Sequence, residues 1–114
     1  MLGKDDEGMM ADEQRATLRQ MLLRLRKRTK EYRHRLSALD VEIKQNANIA
    51  QFFFNSAKAK YVSPDLKMTQ RTAARRFERS AAVAKKEKAR VQQQMQGHLD
   101  LCKQVTGVLA AMKT

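Results

Sequence analysis

Few side chains of this 114-residue chain could do covalent chemistry: two histidines, one cysteine, and twelve carboxylates set among twenty-four Lys and Arg. Catalysis would need a nucleophile beside a base, a Gly-rich phosphate loop or a cluster at metal-ligand spacing. The sequence offers none of these, and its carboxylates are scattered. A single cysteine excludes a disulfide framework and a cysteine-based zinc site, and with two histidines no all-His/Cys site reaches four ligands. His34 falls between the apolar positions and is expected to be exposed. His98 and Cys102 fall on them, where an imidazole packs and a thiol behaves as a small hydrophobe. The expectation is therefore a protein that is not an enzyme and holds no metal, cofactor or small-molecule substrate. Ser63-Pro64 is a motif for proline-directed phosphorylation, and a phosphate there would meet the backbone N–H groups of a helix N-terminus. An unmodified cap is the plainer reading of Ser63.

The chemistry that does stand out is cationic charge. The formal net charge is +12 and the pI is near 10.4. One block is Leu25-Arg26-Lys27-Arg28-Thr29-Lys30, and a second comprises Arg71, Arg75, Arg76, Arg79, Lys85, Lys86 and Arg90. A charge run is ordinarily a solvated face, but this much charge on a small chain repels itself unless an anion relieves it. Arg24, Arg26, Lys27, Arg28, Arg71, Arg75, Arg76 and Arg79 are the candidates to contact that anion. Three partner classes fit: RNA or DNA phosphates, an acidic protein surface such as a cytoskeletal (microtubule) polymer, and an anionic membrane. No helix-turn-helix, zinc finger or RNP-type strand is visible, so a nucleic-acid contact would be to backbone, nonspecific and steeply salt-dependent. A membrane fits least, because no apolar run approaches the ~20 residues of a span and no broad apolar face opposes the cations. Residues 24–30 and 85–90 also resemble nuclear-localisation strings, for which plain surface charge is the simpler reading.

These side chains must be carried by helices, as the apolar spacing shows. Leu18, Leu22, Leu25, Thr29, Tyr32, Leu36, Leu39, Ile43, Asn46, Ala50, Phe53 and Ala57 recur in alternating steps of four and three, a heptad register. Neither Gly nor Pro occurs between Met9 and Ser63. A second seam reads Ala74, Phe77, Ala81, Ala84, Lys88, Val91, Met95, His98, Cys102, Val105, Leu109 and Met112. Between them stands Tyr61-Val62-Ser63-Pro64-Asp65, with Ser63 suited to cap a helix, Pro64 to its first position and Asp65 to its positive end. Within the seam Asn46 is suited to fix register, and Lys88 to reach solvent along its stem.

The sequence thus predicts an all-α, antiparallel two-helix hairpin of coiled-coil type: a flexible acidic tail over 1–11, a helix over 12–60, a turn at 61–63 and a helix over 64–113. Charge favours this fold over a parallel homodimer. Residues 15–35 hold nine basic residues against Glu31 alone, and residues 67–90 hold nine against Glu78 and Glu87. Folding near position 62 sets each basic block against a weakly charged half of the other helix, whereas a parallel dimer would align like charges.

One stripe per helix makes a thin core, and small chains with such cores need a staple or a partner. The hairpin is expected to be completed by other helical subunits or by self-association. Phe52, Phe54, Tyr61 and Leu66, beside Phe53 at the turn, are either a local core or a contact site for a neighbouring subunit. The opening Met-Leu-Gly-Lys-Asp-Asp-Glu-Gly is acidic and polar, unlike a secretory signal or a transit peptide. The functional expectation is a structural subunit of an intracellular assembly, in cytoplasm, cytoskeleton or nucleus.

Overall fold

The computed structural model describes residues 3–112, and the side chains of residues 10–112. It is an all-α antiparallel helical hairpin of α1 (Gly3–Ala57) and α2 (Pro64–Met112). Helix α1 begins well before the expected Asp12, so the backbone of the acidic segment from Gly3 onward is helical and not a tail. Carboxylates at a helix start complement its positive end, and no proline intervenes. Helix α1 stops at Ala57 and not at Lys60, because its last turn tightens. The Lys58 N–H donates to the carbonyls of Phe54 at 3.3 Å and Asn55 at 3.2 Å, and the Ala59 N–H to that of Ser56 at 3.2 Å. Helix α2 starts at Pro64. The Ser63 Oγ accepts the Leu66 N–H at 3.3 Å and the Ser63 carbonyl accepts the Lys67 N–H at 2.9 Å, an N-cap. Replacing Ser63 by Ala is expected to lower stability by about 0.5–1 kcal/mol, and Ser63→Gly by a few tenths, read from the urea midpoint. The end expected at 113 lies outside the described residues.

Two compact units form along the hairpin. The first joins residues up to Arg33 with those from Gln93 onward; the second, the turn unit, comprises His34–Gln92. In heptad letters, α1 carries Leu22, Leu36, Ile43 and Ala50 at a and Leu25, Tyr32, Leu39 and Phe53 at d. Helix α2 carries Ala74, Ala81, Lys88 and Cys102 at a and Phe77, Val91, His98 and Val105 at d.

In the turn unit the core is built from small residues. Ala50, Ala57, Ala74, Ala81 and Ala84 are buried with Leu39 and Val91, while Leu36, Ile43, Phe53 and Phe77 are half-buried. Alanine at the facing positions lets helix axes approach closely, since interaxial distance follows the side chains at the contact. Phe53 stacks on Phe77 with ring centroids 5.9 Å apart and planes at 13°. Two ion pairs cross between the helices here: Arg35 Nη2 to Glu87 Oε1 at 2.5 Å, and Lys88 Nζ to Asp40 Oδ1 at 2.6 Å. Lys88 thus leaves the seam along its stem to reach a carboxylate on the facing helix. Both pairs are partly exposed and add little to stability, but they suit only one register. Asn46 is half-buried and, among the described residues, has no hydrogen-bond partner, so register does not rest on it.

In the other unit Leu22, Thr29 and Val105 are buried, and Leu18, Leu25, Tyr32, Met95, Cys102 and Leu109 are half-buried. The Thr29 hydroxyl donates to the Leu25 carbonyl at 2.8 Å, which satisfies the buried polar group locally. Arg15 Nη2 donates to the Met112 carbonyl at 2.9 Å, a cation on the negative end of α2. Gly97 faces outward, and a Cβ built there meets nothing within 4 Å. Gly97→Ala is therefore expected to raise stability by about 1 kcal/mol through helix propensity alone, seen as a higher melting midpoint.

Candidate interaction surfaces

Two clusters of cations are held on these helices, one in each unit. On α2 in the turn unit Arg71, Arg75, Arg76 and Arg79 are all exposed, as are Lys85, Lys86 and Arg90. The four ion pairs among the described residues involve none of them. Steps of four, from Arg71 to Arg75 to Arg79, set successive guanidiniums about 6 Å apart along one outward ridge.

On α1 in the other unit Arg24, Arg26 and Lys27 are exposed and outside any ion pair, but Arg28 is engaged. Its Nη1 lies 3.3 Å from Glu31 Oε2, and its Cζ lies 5.7 Å from the centre of the Tyr32 ring. The Tyr32 side chain first, and the Glu31 charge after it, hold the Arg28 pKa above its ordinary value. In the turn unit Arg35 is raised likewise, chiefly by its hydrogen bond to Glu87. Both cations keep their charge at any working pH. Tyr32 in turn meets His98 edge-on, with centroids 5.0 Å apart and planes at 74°, and His98 Nδ1 lies 3.0 Å from the Gln94 carbonyl. The seam histidine is thus occupied by packing. This Arg28–Tyr32–His98 stack eluded sequence reasoning, although heptad positions 32 and 98 and the step of four from 28 to 32 contain it.

The four apolar residues singled out at the turn do not share one surface. Phe52 is 66% exposed, with its ring edge-on to Phe53 at 5.6 Å, and Tyr61 is 95% exposed. Phe54 is half-buried on the opposite flank of α1, in a groove with Ala47, Gln51, Glu78 and Lys85. Leu66 is exposed.

Apolar side chains also remain outside the seam. Among the described residues, buried apolar residues larger than alanine are Leu22, Leu39, Val91 and Val105, whereas twelve large ones are exposed. They include Leu23, Val41, Met68 and Val83 besides Phe52 and Tyr61. Met10, Leu18, Val108 and Met112 line one groove of the first unit. A second groove there is lined by Arg26, Leu99, Cys102, Lys103, Thr106 and Gly107.

Among the described residues no group of three or more His, Cys, Asp and Glu is placed to hold a metal ion, and no helix is long and apolar enough to cross a membrane. Ser63 is exposed at the turn, with its Oγ engaged by the Leu66 N–H. No family model matches the chain, and neither a curated protein nor a solved structure matches it.

Proposed function

We propose that this chain is a non-enzymatic structural subunit of an intracellular multiprotein assembly. In this reading the seam holds the hairpin, partner helices cover its flanks, and the arginine-rich faces meet an acidic protein surface. The observation that carries it is the mismatch between a buried core in which five of nine apolar residues are alanine and a surface that leaves twelve large apolar side chains exposed among the described residues. Monomeric proteins rarely expose large contiguous apolar patches, and such a patch rimmed by charge marks an interface. The exposed Phe52, Tyr61 and Leu66 extend the same reading to the turn.

A second reading rests on the unpaired cations of α2: a nucleoprotein subunit gripping phosphate backbone without sequence preference. A cytoskeletal module is the acidic-filament version of the first reading. Affinity purification of the tagged chain with and without nuclease separates them. Defined protein partners that persist after nuclease support the subunit. Loss of all partners with nuclease, together with a steep log–log dependence of binding on salt, supports the nucleoprotein instead. Cosedimentation with purified microtubules would identify the filament case. Phosphorylation of Ser63 would add charge at the α2 N-terminus beside Lys60 and Lys67, and intact-mass measurement of native material detects it.

A further inference from the structure

The two flanks of the first unit are chemically different, and one of them specifies its occupant. On the flank where the e positions face each other, α1 presents Arg19, Leu23, Arg26, Lys30 and Arg33, and α2 presents Leu99, Lys103, Thr106 and Ala110. Arg26 from α1 and Leu99, Cys102, Lys103, Thr106 and Gly107 from α2 line one open groove, which fixes this pairing of flanks. Its floor is apolar. Leu99 and Cys102 are half-buried there, and the Thr106 hydroxyl is spent on the Cys102 carbonyl at 2.7 Å, which leaves its methyl for the groove. Its rim is cationic. Of the acids on these helices, Asp12 is paired with Arg15 at 2.9 Å, while Asp100 accepts only the neutral Gln96 amide at 3.0 Å and keeps its charge beside five cations.

Gly107 lines the same groove. A Cβ built on it meets nothing within 4 Å, so no neighbour inside the hairpin requires glycine at this position. A glycine in a helix costs about 1 kcal/mol relative to Ala. Open space above a groove-lining glycine is what a second backbone needs for close approach.

From this juxtaposition we infer that the groove receives an amphipathic, acidic helix of a partner protein. The partner's apolar ridge lies on Leu99, Cys102 and Gly107, and its carboxylates face Arg19, Arg26, Arg33 and Lys103. Residues 19–33 and 96–110 each span about four helical turns, so the groove takes a helix of about that length. A phosphate backbone would use the rim and gain nothing from the floor. A bilayer needs a far wider apolar face. A second copy would bring further cations against a cationic rim. The inference deepens the subunit reading proposed above and rests on it.

The test uses the full chain and a labelled helical peptide of about 18 residues, with Leu at i, i+3, i+4 and i+7 spacing and Glu elsewhere. Its controls are the same Leu pattern with Lys for Glu, and the Glu peptide shuffled to remove amphipathicity. Fluorescence anisotropy is expected to show binding about tenfold or more tighter for the first peptide than for either control. Arg26→Glu and Gly107→Phe should each weaken it by about tenfold. Neither change touches the seam, and circular dichroism should show both variants as helical as the parent. Equal binding of the shuffled peptide overturns the inference, as does indifference to both substitutions. So does self-association of the chain that the same substitutions abolish, or a double-stranded RNA oligonucleotide that displaces the peptide while ignoring Gly107→Phe. If the groove fails while nuclease-resistant protein partners persist, the groove assignment alone is wrong. If those partners are absent, the subunit reading falls first.

Discussion

Replacing Leu39 by Ala is expected to remove about 3 kcal/mol of stability, within the 2–5 kcal/mol typical of fully buried leucines. Leu39 is 0% exposed and is the largest fully buried side chain among the described residues. It lies in the turn unit, where the other buried apolar residues are Val91 and five alanines. The loss should appear as a lower urea midpoint at a fixed protein concentration. Leu23→Ala serves as the internal comparison. Leu23 is 65% exposed, and removing it should shift the midpoint by no more than about 0.5 kcal/mol in the isolated chain. Similar losses at both positions would mean that the seam is not where stability resides.

The opposite change tests the alanine-lined pairing. Ala74 is 0% exposed, and it lies in a seam that also buries Ala50, Ala57, Ala81 and Ala84. Ala74→Leu adds a large apolar side chain at a fully buried position, and overpacking of this kind costs about 1–3 kcal/mol. Leucine and alanine have similar helix propensities, so the loss reports packing and not helix formation. Ala82 is exposed on the same helix, and Ala82→Leu should be close to neutral in thermal melts. A stabilising Ala74→Leu would show that the helices lie further apart than described.

Much of this architecture was legible in the residues themselves. Every position of the two heptad seams from Leu18 to Ala57 and from Ala74 to Met112 is buried or half-buried, because a period of 3.5 keeps one stripe facing a single partner. The start of α2 was legible for a local reason: Ser63-Pro64-Asp65 supplies a cap, a fixed φ and a favourable charge in consecutive residues. The start of α1 was not, since an acidic, glycine-containing segment reads equally as a tail or as a helix whose carboxylates sit at its positive end. Its end was misplaced by three residues, because the run Lys58–Tyr61 carries no breaker of its own and the tightening arises from the return of the chain.

The surfaces were less legible than the core. Exposure of the arginines follows from their heptad positions, but the cross-helix pairs Arg35–Glu87 and Asp40–Lys88 require the relative offset of the two helices, which periodicity leaves free. By contrast, Arg28 is spent on Glu31 and Tyr32 through steps of three and four within α1, while Arg26 remains available. Helix geometry alone separates Phe52 from Phe54. Residues two positions apart on a helix point about 200° apart, so one ring stays in solvent and the other enters the alanine-lined groove.

The functional reading depends on the hairpin being incomplete by itself. Sedimentation velocity at low micromolar concentration, paired with a thermal melt of the same sample, addresses this directly. The account predicts a monomer that melts broadly, or a folded species that persists only when associated. A monodisperse monomer with a sharp, cooperative melt that does not change with concentration would contradict it.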